Sequence, residues 1–182
     1  MIRSMFATLA ACWLSLMAPQ ASAQLSVGDE APDFTAEAAL GGKPFRFTLT
    51  EALKQGPVVL YFFPKAFTKG CTIEANRFAE AHDEYASLGA TVIGMSGDSI
   101  ETLRSFSISE CRDKFAVAAD AGGKVMQAYK ATMPNVLTHA RRISYVIGTD
   151  RRVSYAFASG SPDDHVPNTL AAVRALKARP AR

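Results

Sequence analysis

The chemistry-bearing residues of this 182-residue chain gather around one cysteine. Cys71 ends the loop Pro64-Lys65-Ala66-Phe67-Thr68-Lys69-Gly70, which leads from the apolar run at 58–63 into an amphipathic segment starting at Thr72. That spacing puts the sulfur at the N-terminal end of a helix. First-turn N–H groups have no intrahelical partner there, and the helix dipole adds partial positive charge. Both effects favour a thiolate, so the spacing predicts a reactive cysteine. Thr68 stands three residues earlier. If it caps the helix, its hydroxyl lies beside the first-turn N–H groups and next to the sulfur. Taken alone, Thr-x-x-Cys is an ordinary capped helix; the proline-led loop at a strand end is what makes this one a candidate site.

The elements that position this loop follow from periodicity. Val58-Val59-Leu60-Tyr61-Phe62-Phe63 is continuously apolar and bounded by Pro57 and Pro64, as expected for a strand buried on both faces. From Thr72 a helix is predicted, with Ala75, Phe78, Ala81, Tyr85 and Leu88 on one face and Gly89 at its C-terminal stop. Residues 91–96 read as a second buried strand, which completes a right-handed βαβ unit. Further on, the pattern predicts a helix at 100–106, a short strand at 115–118 and a helix at 124–129. A hairpin pairing 142–147 with 153–157 and a closing helix at 165–178 complete the chain. The expected class is α/β, a mixed central sheet with helices on both faces and the reactive loop at the C-terminal end of a central strand.

The N-terminus carries a different signal. Met-Ile-Arg, a mostly apolar run from Met5 to Met17, and Ala21-Ser22-Ala23 before Gln24 predict a signal peptide at 1–23 and one exported domain at 24–182. The apolar run is shorter than the roughly 20 residues a membrane span needs, so no stable membrane association is expected. Leu9-Ala10-Ala11-Cys12 resembles a lipoprotein cleavage box and is ranked second. After cleavage only Cys71 and Cys111 remain, an even pair in a compartment where disulfides persist. They could form a structural staple or a redox couple. The net charge of +3 includes basic residues at Arg174, Lys177, Arg179 and Arg182. No aromatic residues interleave them, so nucleic-acid binding is not expected.

Pro64 to Cys71 matches the Pro-x-x-x-Thr/Ser-x-x-Cys signature of the peroxiredoxins, and Cys71-Thr72-Ile73-Glu74-Ala75 resembles the bacterioferritin-comigratory (PrxQ) branch. Val27 to Phe34, Met95 to Ser99, Arg142 to Ile147 and Asp164 to Leu176 resemble further parts of the same family. The resemblance implies a thioredoxin-like fold and a thiol peroxidase acting on hydrogen peroxide or small organic hydroperoxides. No prosthetic group is implied, and the branch is often monomeric. It also implies that Cys71 attacks the peroxide, leaving a sulfenic acid. Thr68, the Cys71 N–H and the Arg142 guanidinium would serve as donors, with Pro64 shielding the sulfur. Many members place a resolving cysteine five positions after the first, where this chain has Asn76. Cys111 resembles the variant with that cysteine in the following helix region, and a thioredoxin-like dithiol protein would reduce the resulting disulfide. If the reduced fold holds Cys71 and Cys111 apart, a helix end must unwind in each cycle.

Other candidates are weaker. His82, His139 and His165 have no metal-ligand spacing and read as surface or packing histidines. Gly94 and Gly97 form no dinucleotide fingerprint. Glu74 is equally a partner for Arg142 or a favourable acid in the first helical turn. Asp98 lies near the proposed site but reads first as a helix cap, and Arg141 reads as a surface arginine. A thiol:disulfide oxidoreductase, a redox-sensing module with a static disulfide, and a one-cysteine peroxidase are the alternatives.

Overall fold

The run at 58–63 organises the molecule, described here from a computed structural model for residues 24–178. The expected leader at 1–23, Cys12, Arg179 and Arg182 lie outside the described residues. The chain opens with strands β1 (Thr35–Leu40) and β2 (Lys43–Thr48), helix α1 (Leu49–Leu53) and strand β3 (Val58–Phe62). Helices α2 (Lys69–Glu80) and α3 (His82–Ser87), strand β4 (Thr91–Ser96), helix α4 (Ile100–Ser109) and strand β5 (Ala116–Ala119) follow. The C-terminal half adds α5 (Lys124–Ala128), β6 (Thr132–Met133), β7 (Val136–Ala140), β8 (Ile143–Ile147), β9 (Val153–Ala158) and α6 (His165–Lys177).

Seven strands form one sheet in the order β2-β1-β5-β4-β3-β8-β9. β3 runs parallel to β4 and antiparallel to β8, and β4 runs parallel to β5, so the sheet is mixed as expected. Strand geometry turns successive side chains to opposite faces. Val58, Leu60 and Phe62 accordingly join one core with Leu49 and Leu53 of α1 and Met126 of α5. Val59, Tyr61 and Phe63 join the other, with residues from α2, α3, α4 and α6. Each large side chain so buried contributes about 1.5–3 kcal/mol. Among the described residues the two cysteines, Cys71 and Cys111, belong to this second core.

Several boundaries differ from the sequence reading. The helix expected from Thr72 starts at Lys69, which moves Cys71 inside the first turn, and it is not continuous to Leu88. It breaks at Ala81, where α2 ends and α3 turns to bury Tyr85. Two hairpins escape periodicity altogether. β1 and β2 meet across Gly41-Gly42, whose φ values of 54° and 72° are those of a tight left-handed turn that glycine adopts freely. β6 and β7 meet across Pro134-Asn135, with Asn135 at φ 66°. Among the described residues no helix is long and apolar enough to cross a membrane.

Candidate active site

Cys71 is the third residue of α2, and the first intrahelical bond runs from Thr72 N–H to the Thr68 carbonyl at 2.9 Å. The N–H groups of Lys69, Gly70 and Cys71 therefore have no partner within the helix. Thr68 holds the capping position by backbone geometry, yet its side chain makes no cap bond. Its hydroxyl donates instead to the Lys65 carbonyl at 2.9 Å. The expected donor role of Thr68 is thus corrected. Its proton is committed within the loop, and the oxygen keeps only acceptor capacity.

The loop is pinned from outside. Asp98, just past β4, accepts the Ala66 N–H and the Ser96 hydroxyl, each at 2.8 Å. The cap of α4 is Ser99, whose Oγ accepts the Thr102 N–H at 3.3 Å. Asp98 therefore holds the cysteine loop rather than a helix. Its position past a strand end was the only hint in the sequence. Phe67 takes a left-handed φ of 63° and packs edge-on against Phe106, with ring centres 5.2 Å apart.

Arg142 reaches Cys71 from the neighbouring strand. β8 pairs antiparallel with β3, and Ile143 lies opposite Phe62, so Arg142 falls where the chain leaves β3 for the loop. Its Nη2 donates to Cys71 Sγ at 3.4 Å, its Nε donates to the Gly160 carbonyl at 3.2 Å, and its Nη1 donates to Glu74 Oε2. A planar guanidinium can satisfy three directions at once, which an ammonium cannot reproduce. Gly70 makes the approach possible, since a Cβ there would sit 3.1 Å from Nη2. Of the two readings for Glu74, the contact with Arg142 is the one observed, and the residue is fully buried. Burial raises its carboxyl to about 8, against the opposing pull of Arg142.

Cys71 itself is 1% exposed. In front of Arg142 opens a cleft of about 470 Å³ lined by Pro64, Met133, Arg141, Arg142 and the segment 158–160. Arg141, read as a surface arginine, lines this cleft. Among the described residues no group of three or more His, Cys, Asp or Glu side chains could hold a metal ion.

Cys111 is a free, fully buried thiol beyond the end of α4, and Cys71 is also free. Burial pushes the Cys111 thiol well up, with Glu110 and Asp113 adding to the shift. Its segment runs alongside α2 and the start of α3. The Asn76 amide donates to Glu110 at 3.3 Å, Arg112 pairs with Glu80 at 3.3 Å and Lys114 pairs with Asp83 at 3.4 Å. With a rise of 1.5 Å per residue, Asn76 lies about 7.5 Å and Glu80 about 13.5 Å along the axis from Cys71. These contacts place Cys111 beside the middle of α2, not at its start.

A thioredoxin-like sheet that presents a helix-start cysteine to a buried arginine defines a class, the thiol-based oxidoreductases of that fold. Residues 27–156 match the AhpC/TSA family, and the chain belongs to it as a peroxiredoxin of the bacterioferritin-comigratory (Q) type. A peroxiredoxin relative from Mycobacterium tuberculosis is 34% identical over 156 residues, covering 84% of this chain and 99% of the relative. Chloroplastic peroxiredoxin Q of Sedum lineare is 30% identical over 156 residues, covering 85% of this chain and 81% of the plant protein. The crystal structure of the peroxidoxin BcpB from Mycobacterium tuberculosis superposes with a TM-score of 0.73 at 34% identity, covering 82% of this chain and 97% of that one. Membership makes the chain a thiol peroxidase.

Proposed function

We propose that Cys71 is the peroxidatic cysteine, that Cys111 resolves it, and that a thioredoxin-like dithiol protein reduces the product. The observation that carries this reading is the contact of 3.4 Å between Arg142 Nη2 and Cys71 Sγ at a helix start, behind an open cleft. The Cys71 thiolate attacks one oxygen of hydrogen peroxide or a small organic hydroperoxide. A sulfur–oxygen bond forms, the oxygen–oxygen bond breaks, and the departing oxygen takes a proton to leave as water or an alcohol. Negative charge moves from sulfur to that oxygen. Arg142 and the Cys71 N–H donate along the path, a preorganised arrangement that favours the transition state. Thr68 accepts the peroxide O–H, and Pro64 walls the sulfur from bulk water.

The second step joins Cys111 sulfur to the sulfenic acid and expels water. A disulfide needs Cα atoms about 4.4–6.8 Å apart. The contacts along α2 support a larger separation, so the end of α4 unwinds first. Arg112 and Asp113 both hold left-handed backbone, at φ 51° and 55°, and such residues store strain of about 1–3 kcal/mol each. Unwinding releases that strain and exposes Cys111 to water, where its thiol can ionise. The mature enzyme, 24–182, acts as an exported monomer after removal of 1–23.

The test is a single turnover of the pre-reduced mature protein with one equivalent of hydrogen peroxide, followed by stopped flow and mass spectrometry. Rapid consumption ending in a Cys71–Cys111 disulfide is expected. Consumption at the rate of a free thiol would overturn the assignment. The exported state is tested by sequencing the N-terminus of protein recovered from the extracytoplasmic fraction, with Gln24 expected first.

A further inference from the structure

Behind Arg142, Glu74 meets a second buried group that the reaction leaves unused. Glu74, Ser144 and His165 all have no exposed surface. His165 Nε2 lies 3.2 Å from the Ser159 carbonyl, which can only accept, so this nitrogen carries a hydrogen. The other nitrogen, Nδ1, is 2.8 Å from Ser144 Oγ and 3.6 Å from Glu74 Oε1. Arg142 occupies Glu74 Oε2, while Oε1 is buried without a hydrogen-bond partner. With no proton on either side, two acceptors would face each other across that gap, an arrangement that buried groups avoid.

We propose that Glu74 and His165 together hold one proton at neutral pH, making His165 a positioning residue that sets how much of the Arg142 charge acts on Cys71. This inference rests on Cys71 being the attacking sulfur. Two arrangements satisfy the geometry. In one, Glu74 is the neutral acid, with its Oε1–H directed at the Nδ1 lone pair, which it shares with the Ser144 hydroxyl. In the other, Nδ1 is protonated beside a Glu74 carboxylate, and Ser144 turns to accept. Burial raises the Glu74 carboxyl to about 8 and lowers His165 to about 4, which favours the first. The charged and titratable groups facing the pair are Arg142 before β8, Cys71 on α2, the Tyr61 phenol on β3 and Asp164 at the start of α6.

The consequence is electrostatic. While the pair keeps its proton on Glu74, the guanidinium has no adjacent anion except the sulfur, and its charge acts in full on Cys71 and the incoming peroxide. When the proton leaves, the Glu74 carboxylate offsets that charge, and the rate falls.

The experiment has two parts on the pre-reduced protein. Carboxyl ¹³C and imidazole ¹⁵N chemical shifts of Glu74 and His165 are followed between pH 5 and 10, alongside the pH profile of the second-order rate with hydrogen peroxide. One proton on the pair at pH 7, lost near pH 8 together with a downward limb in the rate, is expected. His165→Gln supplies an amide donor to Oε1, so its limb moves to lower pH by about one unit or more, tenfold in proton affinity. A Glu74 carboxylate beside a neutral His165 throughout pH 6–8 would overturn the proposal. So would a His165→Gln profile of unchanged shape. If that variant does not fold, the proton count in the unmodified protein decides. Failure of the Cys71 assignment is separately visible, as peroxide consumption that survives Cys71→Ser.

Discussion

The side-chain amide of Asn76 donates to Glu110 Oε2 at 3.3 Å, a contact that fixes the segment of Cys111 beside the second turn of α2. Asn76 stands five positions after Cys71 in the same helix. In this protein it holds the neighbourhood of Cys111. Asn76→Ala removes a tether worth about 1 kcal/mol. The end of α4 should open about fivefold more often. Hydrogen exchange of the amides at 107–114 should speed up by that factor, and disulfide formation after a peroxide pulse should accelerate. Unchanged exchange would mean that Asn76 does not restrain Cys111.

Arg142→Lys keeps a positive charge but loses the fork that spans Cys71, Glu74 and Gly160. The rate constant for peroxide reduction should drop by about 100-fold, the effect of losing one preorganised donor. Stopped-flow consumption of hydrogen peroxide at pH 7 measures it directly. A loss below about threefold would show that point charge alone suffices.

Gly70→Ala separates stability from activity. Alanine is favoured over glycine in a helix by about 0.5–1 kcal/mol, so the variant should melt no lower than the parent. Its Cβ would stand 3.1 Å from Arg142 Nη2 and press the guanidinium away from the sulfur. An activity loss of about tenfold at unchanged Tm is expected, since small misplacements of a reacting group are costly. Calorimetry and peroxide kinetics on the same sample test both halves.

The buried pair also makes stability depend on pH. Glu74 is raised from 4.5 to about 8, so between those values the folded state holds a proton that the unfolded chain lacks, and stability falls as pH rises. His165 is lowered from 6.5 to about 4, so between those values the unfolded chain binds the extra proton, and stability falls as pH drops. The two slopes cancel from about pH 4.5 to 6.5. From pH 6.5 to 8 only Glu74 contributes, and about 2 kcal/mol should be lost at 1.36 kcal/mol per unit. Urea unfolding across that range should show the decline in the parent and a flat profile in Glu74→Gln.

The central elements were legible because their signals are local. A continuous six-residue apolar run rich in β-branched and aromatic side chains and bounded by prolines reads as a buried strand, and three- and four-residue spacing after it reads as helix packed beside that strand. Cys71 at the helix start followed from those two facts, and the family signature named its neighbours. The first hairpin was not read from the sequence, because the alanine-rich strand before Gly41-Gly42 hides the alternation that marks a half-buried strand.

By itself, the sequence determined the strand–loop–helix unit, the helix-start position of Cys71 and the family, since each is written within a few consecutive residues. The tertiary structure alone decided the rest. Arg142 meets Cys71 because the antiparallel register of β8 against β3 sets Ile143 opposite Phe62. The same closure turns Glu74 from a first-turn acid into a partner of Arg142 with His165 behind it, and directs Asp98 to the loop. It sends the Thr68 hydroxyl to Lys65 and sets Cys111 along the middle of α2. Each of these is a contact whose geometry depends on strand register or side-chain direction, and neither is encoded in the periodicity of any single segment.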